Sequence, residues 1–231
     1  MIRRVAIILA IGLLSAIFAV ISLDYSERAA LRSLAQGYVT QAPQQRATPN
    51  VITGILLTYR AFDTLGEVAV LFMVAAGVGL VLARGRKDAD REPVVEQASP
   101  ASEIVSTGTS ILLPIMSIFA AYIIMNGHLS AGGGFQGGAV IASGVMLLLL
   151  ARPDYGLNLN FLSVTESCAG VMFVLAGIAG VIFAGGFLDN RALPLGTFGA
   201  FYSAGLIPIL SVLLGIKVGC ELSVILDAFR K

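Results

Sequence analysis

A small set of ionisable side chains stands where a mostly apolar chain could use them for chemistry. Glu166, Lys217 and Glu221 fall inside apolar runs, and Asp227 falls at the end of one. A charge inside a bilayer is costly, so each such residue needs a partner or a purpose. Lys217 and Glu221 are one helical turn apart, so on a helix they share a face and can pair. If the fifth and sixth apolar runs lie antiparallel, Glu166 comes to the same half of the membrane as Glu221. A carboxylate, an ammonium and a second carboxylate then form one buried cluster with alternative seats for a proton. The same residues also suit a structural ion pair that fixes helix register, with Lys217 and Asp227 reaching toward the interface. The spacing leaves both readings open.

A second set lies at the opposite ends of the spans. Asp63 and Glu67 flank Thr64, and Thr64-Leu65-Gly66-Glu67 fits a capping box with Thr64 as N-cap. A helix N-terminus favours a carboxylate in any case, and the alternative is a carboxylate at the mouth of an ion path. His128, the one histidine, suits a packed hydrogen-bonding residue or a proton relay, since imidazole titrates near neutrality. It is followed by Gly132, Gly133, Gly134, Phe135, Gln136, Gly137 and Gly138. No Gly-Lys-Ser/Thr follows, so this is no nucleotide loop. A tight hairpin and a closely packed next helix are expected, with small-xxx-small spacing at Gly134/Gly138 and again at Gly215/Gly219. Pro114 and Pro208 are expected inside the third and sixth spans, each freeing a carbonyl for an ion or water.

The elements that must hold these residues follow from composition. The chain is 57% hydrophobic and 13% charged, where soluble domains run near a quarter charged, so an all-α integral membrane protein is expected. Six runs are long enough to cross a bilayer: about Val5–Leu23, Leu65–Ala83, Gly108–Met125, Phe135–Ala151, Val164–Leu188 and Gly199–Leu226. The first resembles a signal sequence behind Arg3 and Arg4, but it is long for one and Ser22-Leu23-Asp24 offers no cleavage site, so a retained helix is expected. With no tryptophan, the interface belts rest on Tyr, Arg and Lys. Arg3, Arg4, Arg84, Arg86, Lys87, Arg91, Arg152, Arg230 and Lys231 would share one side, against Arg28, Arg32, Arg46, Arg60 and Arg191 on the other, which favours cytoplasmic termini. A short helix over Tyr25–Tyr38 and an interfacial or re-entrant piece over Asn50–Tyr59 are expected between the first two spans. Residues 84–107, charged and then Pro-containing, read as a solvated cytoplasmic linker between a two-span module (1–83) and a four-span module (108–231). Cys168 and Cys220 read as packing residues and not as a disulfide framework.

The net charge of +1 gives no hint of nucleic acid as a partner. There is no Ser/His/Asp set, metal-ligand spacing, or haem or flavin motif, so movement of ions is expected and bond-making is not. No metal and no resident cofactor are expected.

Leu113-Pro114 through Gly127-His128, the glycine cluster to Gly138, and Ser203 through Pro208 to Lys217-Val218-Gly219-Cys220-Glu221-Leu222 resemble the MnhB (or MrpB) component of the multi-subunit Na+/H+ antiporters, over about Ile104–Phe229. Val51 to Glu67, above all Phe62-Asp63-Thr64-Leu65-Gly66-Glu67, resembles the C-terminal end of the large MnhA-type component of the same antiporters. That family form carries an acid at the place of Thr58 and a glycine at that of Ala61, which weakens a charge-bearing role near Thr58. The resemblance implies an MnhA-like end joined to an MnhB-like component, as in Mrp antiporters and Mrp-like membrane-bound hydrogenase or sulfane-sulfur reductase complexes. It implies other antiporter-type subunits as partners, the cell membrane as the location, and Na+ and H+ as cargo. The ion path would run from an outer mouth near Asp63, Glu67 and His128 to an inner cluster of Glu166, Lys217 and Glu221. A purely structural role in the membrane arm is the alternative. A stand-alone secondary transporter is disfavoured by the lack of a detectable inverted repeat.

Overall fold

A computed structural model describes residues 2–26, 30–88 and 101–230. Contacts divide the chain into two units, Met1–Gln36 and Gly37–Lys231. The first holds α1 (Ile2–Asp24). Helix α2 (Ser33–Thr40) straddles the division. The second unit continues with α3 (Ala42–Arg46), α4 (Val51–Gly54), a π-turn (Ile55–Tyr59) and α5 (Ala61–Asp88). It then runs through α6 (Glu103–Met125), α7 (Gly134–Ala151), α8 (Leu159–Ala184), a 3-10 turn (Asn190–Ala192) and α9 (Ile207–Arg230). There is no strand among the described residues, only an isolated antiparallel bridge between Gly196 and Ser203. Six of the helices are long and apolar enough to cross a bilayer.

Helix α9 is the centre of the second unit, with α7, α8, α5 and α6 packed around it. Its Ile207, Leu210 and Leu214 join Leu57, Val68, Phe173 and Leu188 in one buried apolar cluster. Glycines set the closest approaches. A methyl group on Gly134 would meet the Ser211 carbonyl, and one on Gly138 would meet Val218 and the Gly215 carbonyl. One on Gly137, on another side of α7, would strike Ile124 of α6. The two small-xxx-small pairs therefore lie along the α7–α9 contact.

Several boundaries differ from expectation. Helix α8 starts at Leu159 because Asn158 caps it, accepting from Phe161 N–H at 3.0 Å. It ends at Ala184 because Gly185 adopts the left-handed conformation (φ 78°) that closes a helix. Helix α9 starts at Ile207, not near Gly199. Residues before it form the Gly196–Ser203 bridge, and Ala204 has φ 65°, which no right-handed helix admits. Pro208 thus sits in the first turn of α9, where its missing N–H removes no helical bond. Its expected freed carbonyl is not there. Pro114 does lie inside α6 and leaves the Ser110 carbonyl without its helical donor.

The capping box at Thr64 is also not formed, because α5 already begins at Ala61. Thr64 Oγ1 instead donates to Leu56 O at 2.7 Å, while Thr58 Oγ1 donates to Gly54 O at 2.5 Å. These hydroxyls take up carbonyls around the π-turn, a wide turn often found at functional sites. The piece expected as interfacial or re-entrant is thus α4 plus this π-turn, leading into α5. In place of a helix over Tyr25–Tyr38, the described residues form α2 from Ser33, with 27–29 outside the description. Of the expected linker, residues 84–88 continue α5 and 103–107 begin α6. Residues 89–100, with Arg91 among them, lie outside the described residues, as do Arg28 and Lys231. Cys168 is exposed and Cys220 half-buried, both as free thiols.

Candidate functional site

Helices α8 and α9 pack side by side and bring three charges together. Lys217 Nζ donates to Glu166 Oε1 at 3.0 Å and to Glu221 Oε2 at 2.9 Å. The exposures are 9% for Glu166, 6% for Lys217 and 0% for Glu221. By the rise of a helix, Glu166 lies about 10 Å into α8, well inside a span. Lys217 Nζ also stands 5.8 Å from the centre of the Phe72 ring on α5, within reach of a cation–π attraction. Gly170 on α8 leaves room for the Lys217 stem, since a methyl group there would lie 3.8 Å from its Cδ.

The charge count gives the cluster its chemistry. With all three groups ionised it carries one net negative charge, and one added proton or one bound monovalent cation makes it neutral. Lys217 occupies Glu221 Oε2, whereas Glu221 Oε1 is buried without a hydrogen-bond partner among the described residues. A lateral groove lined by Leu65, Val68, Phe72, Glu166, Gly170 and Lys217 reaches the cluster from between α5 and α8. Asp227 is fully buried farther along α9.

The three members of the outer set have different local partners. Asp63 is taken by Arg60 in an exposed ion pair at 2.5 Å. His128 is buried, and its Nε2 lies 3.1 Å from Phe201 O, which requires Nε2 to carry the proton. Burial lowers the His128 pKa and outweighs the nearby carbonyls of Phe201, Ala200 and Met125, so the imidazole is held neutral. Glu67 lines a cavity together with Gly132, Gly133 and Gly134 of the glycine cluster. Gly133 there has φ 145°, a conformation other residues resist.

A polar clasp escaped the sequence reading. Thr48 Oγ1 donates to His128 O at 2.7 Å. Asn50 Nδ2 donates to Gly127 O at 2.8 Å and Ser130 O at 2.7 Å, and Thr53 Oγ1 donates to Gly127 O at 2.8 Å. Beside them Arg46 reaches Asp189 at 2.6 Å, and Asn190 Nδ2 donates to Arg46 O at 2.9 Å and Ala204 O at 3.0 Å. Burial alone would raise the Asp189 pKa, but hydrogen bonds from Arg191 and the charges of Arg46 and Arg191 take it below the usual carboxylate range. The segment before α5 is thereby tied to the turn before α7 and to the loop before α9. The signals were local and weak: Thr48-Pro49-Asn50 ahead of a helix, and Asp189-Asn190-Arg191 after a span.

Residues 104–224, more than half of the chain, match a family described as a domain related to the MnhB subunit of Na+/H+ antiporter. The chain belongs to this MnhB-related family. Residues 1–99 match a second family, MbhE, described as one of the subunits of MBH. The MnhB-related chain is 33% identical to a chain of the membrane-bound sulfane sulfur reductase, an archaeal respiratory membrane complex, with a TM-score of 0.82 over 100% of this chain and 99% of that one. It is 28% identical to an uncharacterized protein of Methanocaldococcus jannaschii over 76% of this chain and 74% of that protein. It is 35% identical to the B-type subunit of the Na+/H+ antiporter of Bacillus subtilis, over 42% of this chain and 66% of the relative. Six apolar helices and antiporter-subunit relatives make it a multi-pass protein of the cell membrane.

Proposed function

We propose that this chain is a membrane subunit of a multi-subunit Na+/H+ antiporter module, in an Mrp-type antiporter or an Mrp-linked respiratory complex. Its partners are other antiporter-type membrane subunits. Its termini face the cytoplasm, and residues 1–83 and 108–231 act as an MnhA-end-like and an MnhB-like module. It serves transport and is not itself an enzyme, with no resident cofactor, Na+ and H+ being cargo. The observation that carries this reading is the Glu166–Lys217–Glu221 cluster, two carboxylates sharing one ammonium inside a span. Such a cluster can accept a proton or a cation and release it as the charge balance of its neighbours changes. A bracing role is the second reading, favoured by the way Lys217 ties α8 to α9 through two short bonds.

Cation–proton exchange in proteoliposomes of the purified complex separates the two. Glu166→Gln and Glu221→Gln keep the shape and a hydrogen-bond acceptor for Lys217. In complexes that still assemble at normal yield, the ion-handling reading expects exchange to fall at least about tenfold, the loss of roughly one charged hydrogen bond's worth of stabilisation. Normal exchange in both assembled variants would leave only the bracing role.

A further inference from the structure

The charged cluster of α8 and α9 is open on one side. Lys217 Nζ spends two of its donors on Glu166 Oε1 and Glu221 Oε2. Glu166 Oε2 accepts no hydrogen bond among the described residues. Glu166 is 9% exposed and lines the groove between α5 and α8, so the groove reaches its carboxylate. That groove holds about 380 Å3, and apart from Glu166, Ser167 and Lys217 its lining is apolar. Its rim, with Phe72 and Met73 on α5 and Val171 on α8, is exposed. Ala69, Ser167 and Gly170 give it small side chains, which let another helix come close.

An apolar rim suits lipid, but a carboxylate oxygen does not. The hydrocarbon offers it no donor, and with its three groups ionised the cluster carries one unbalanced negative charge. The balancing charge does not come from this chain. Across its six spans, leaving aside Arg4 at the end of the first, Lys217 is the one Lys or Arg, and the one histidine, His128, lies outside them. Neither the chain's own α1 nor a second copy of the chain therefore has a spare basic group to bring to this depth.

We propose that the groove between α5 and α8 docks a transmembrane helix of a different subunit, which sets a lysine or histidine against Glu166 Oε2. A basic group there gives the free oxygen its donor and brings the cluster to neutrality. Lysine and histidine titrate where arginine keeps its proton, so either can share a proton with Glu166. The proposal rests on the antiporter reading and deepens it, naming the face on which a partner meets this chain and the chemistry that partner brings.

The test uses the intact purified complex. A benzophenone amino acid is placed at exposed Met73 or Val171 on the rim, and at exposed Ile118 on α6 as a control. A smaller diazirine label at the same places serves should benzophenone block assembly. Mass spectrometry of the photo-crosslinked peptides is expected to join Met73 and Val171 to one helix of another subunit, with a lysine or histidine within about one turn of the attachment, and not to join Ile118 to that helix. Replacing that lysine or histidine by methionine is expected to cut the yield of assembled complex by about half or more, but to change it little in a Glu166→Gln background, where the charge it answers is already gone. Attachment to lipid, to another copy of this chain, or to a helix without such a residue overturns the docking site, as does an equal loss of yield in both backgrounds. If exchange still falls with Glu166→Gln while no such helix is caught, the docking site fails and the antiporter reading stands. A chain recovered without antiporter-type subunits sinks both.

Discussion

Lys217→Met is expected to prevent assembly. The substitution keeps length and apolar bulk but removes the donor that Glu166 Oε1 and Glu221 Oε2 share, and both carboxylates are buried. Removing one partner of a buried ion pair typically costs about 3–5 kcal/mol, because the remaining charge has neither water nor a counter-ion. Here two carboxylates would be stranded, one on each helix, so α8 and α9 would lose their tie as well. Removing all three charges together, by combining Lys217→Met with Glu166→Gln and Glu221→Gln, should restore much of the yield and none of the exchange. Size-exclusion yield and the thermal midpoint of the purified complex read both effects. A single Lys217→Met variant that assembles normally would show that the carboxylates never depended on the amine.

Gly138→Ala is the second large effect. The new methyl group would sit 2.7 Å from Val218 Cβ and 2.9 Å from the Gly215 carbonyl. The carbonyl belongs to helix backbone, so relief requires α7 to back away from α9 along their whole contact. Overpacking a tight interior typically costs about 1–3 kcal/mol. Since α9 is also the helix that carries Lys217 and Glu221, the shift should loosen the charged cluster. Gly170→Ala is the control, because its methyl group would meet the Lys217 stem at an ordinary 3.8 Å. The expected result is a clear fall in thermal midpoint for Gly138→Ala and little change for Gly170→Ala. Equal midpoints would mean that the two helices are not held at this distance.

The parts of this molecule that could be read from sequence are those governed by periodicity and local spacing. Apolar length located the spans, and the four-residue step from Lys217 to Glu221 placed both on one face. Antiparallel packing of consecutive helices then brought Glu166 to them. Reading failed where backbone conformation or long-range pairing decided the outcome. Pro208 looked internal because the apolar run extends back to Gly199, while the positive φ of Ala204 delays the helix. Thr64 looked like an N-cap because nothing in the sequence announces the π-turn that lets its hydroxyl serve Leu56 instead. Arg46 and Asp189 are 143 residues apart, and no local pattern pairs them.

Whether this chain works within an antiporter-type membrane complex is tested most directly by what it brings with it from the membrane. An affinity tag is placed after Lys231, the membrane is solubilised gently, and the co-purifying proteins are identified by mass spectrometry. Co-purification in fixed proportion with other antiporter-type membrane subunits is the predicted result. Recovery of the chain alone, folded and stable, would contradict it and favour a stand-alone transporter.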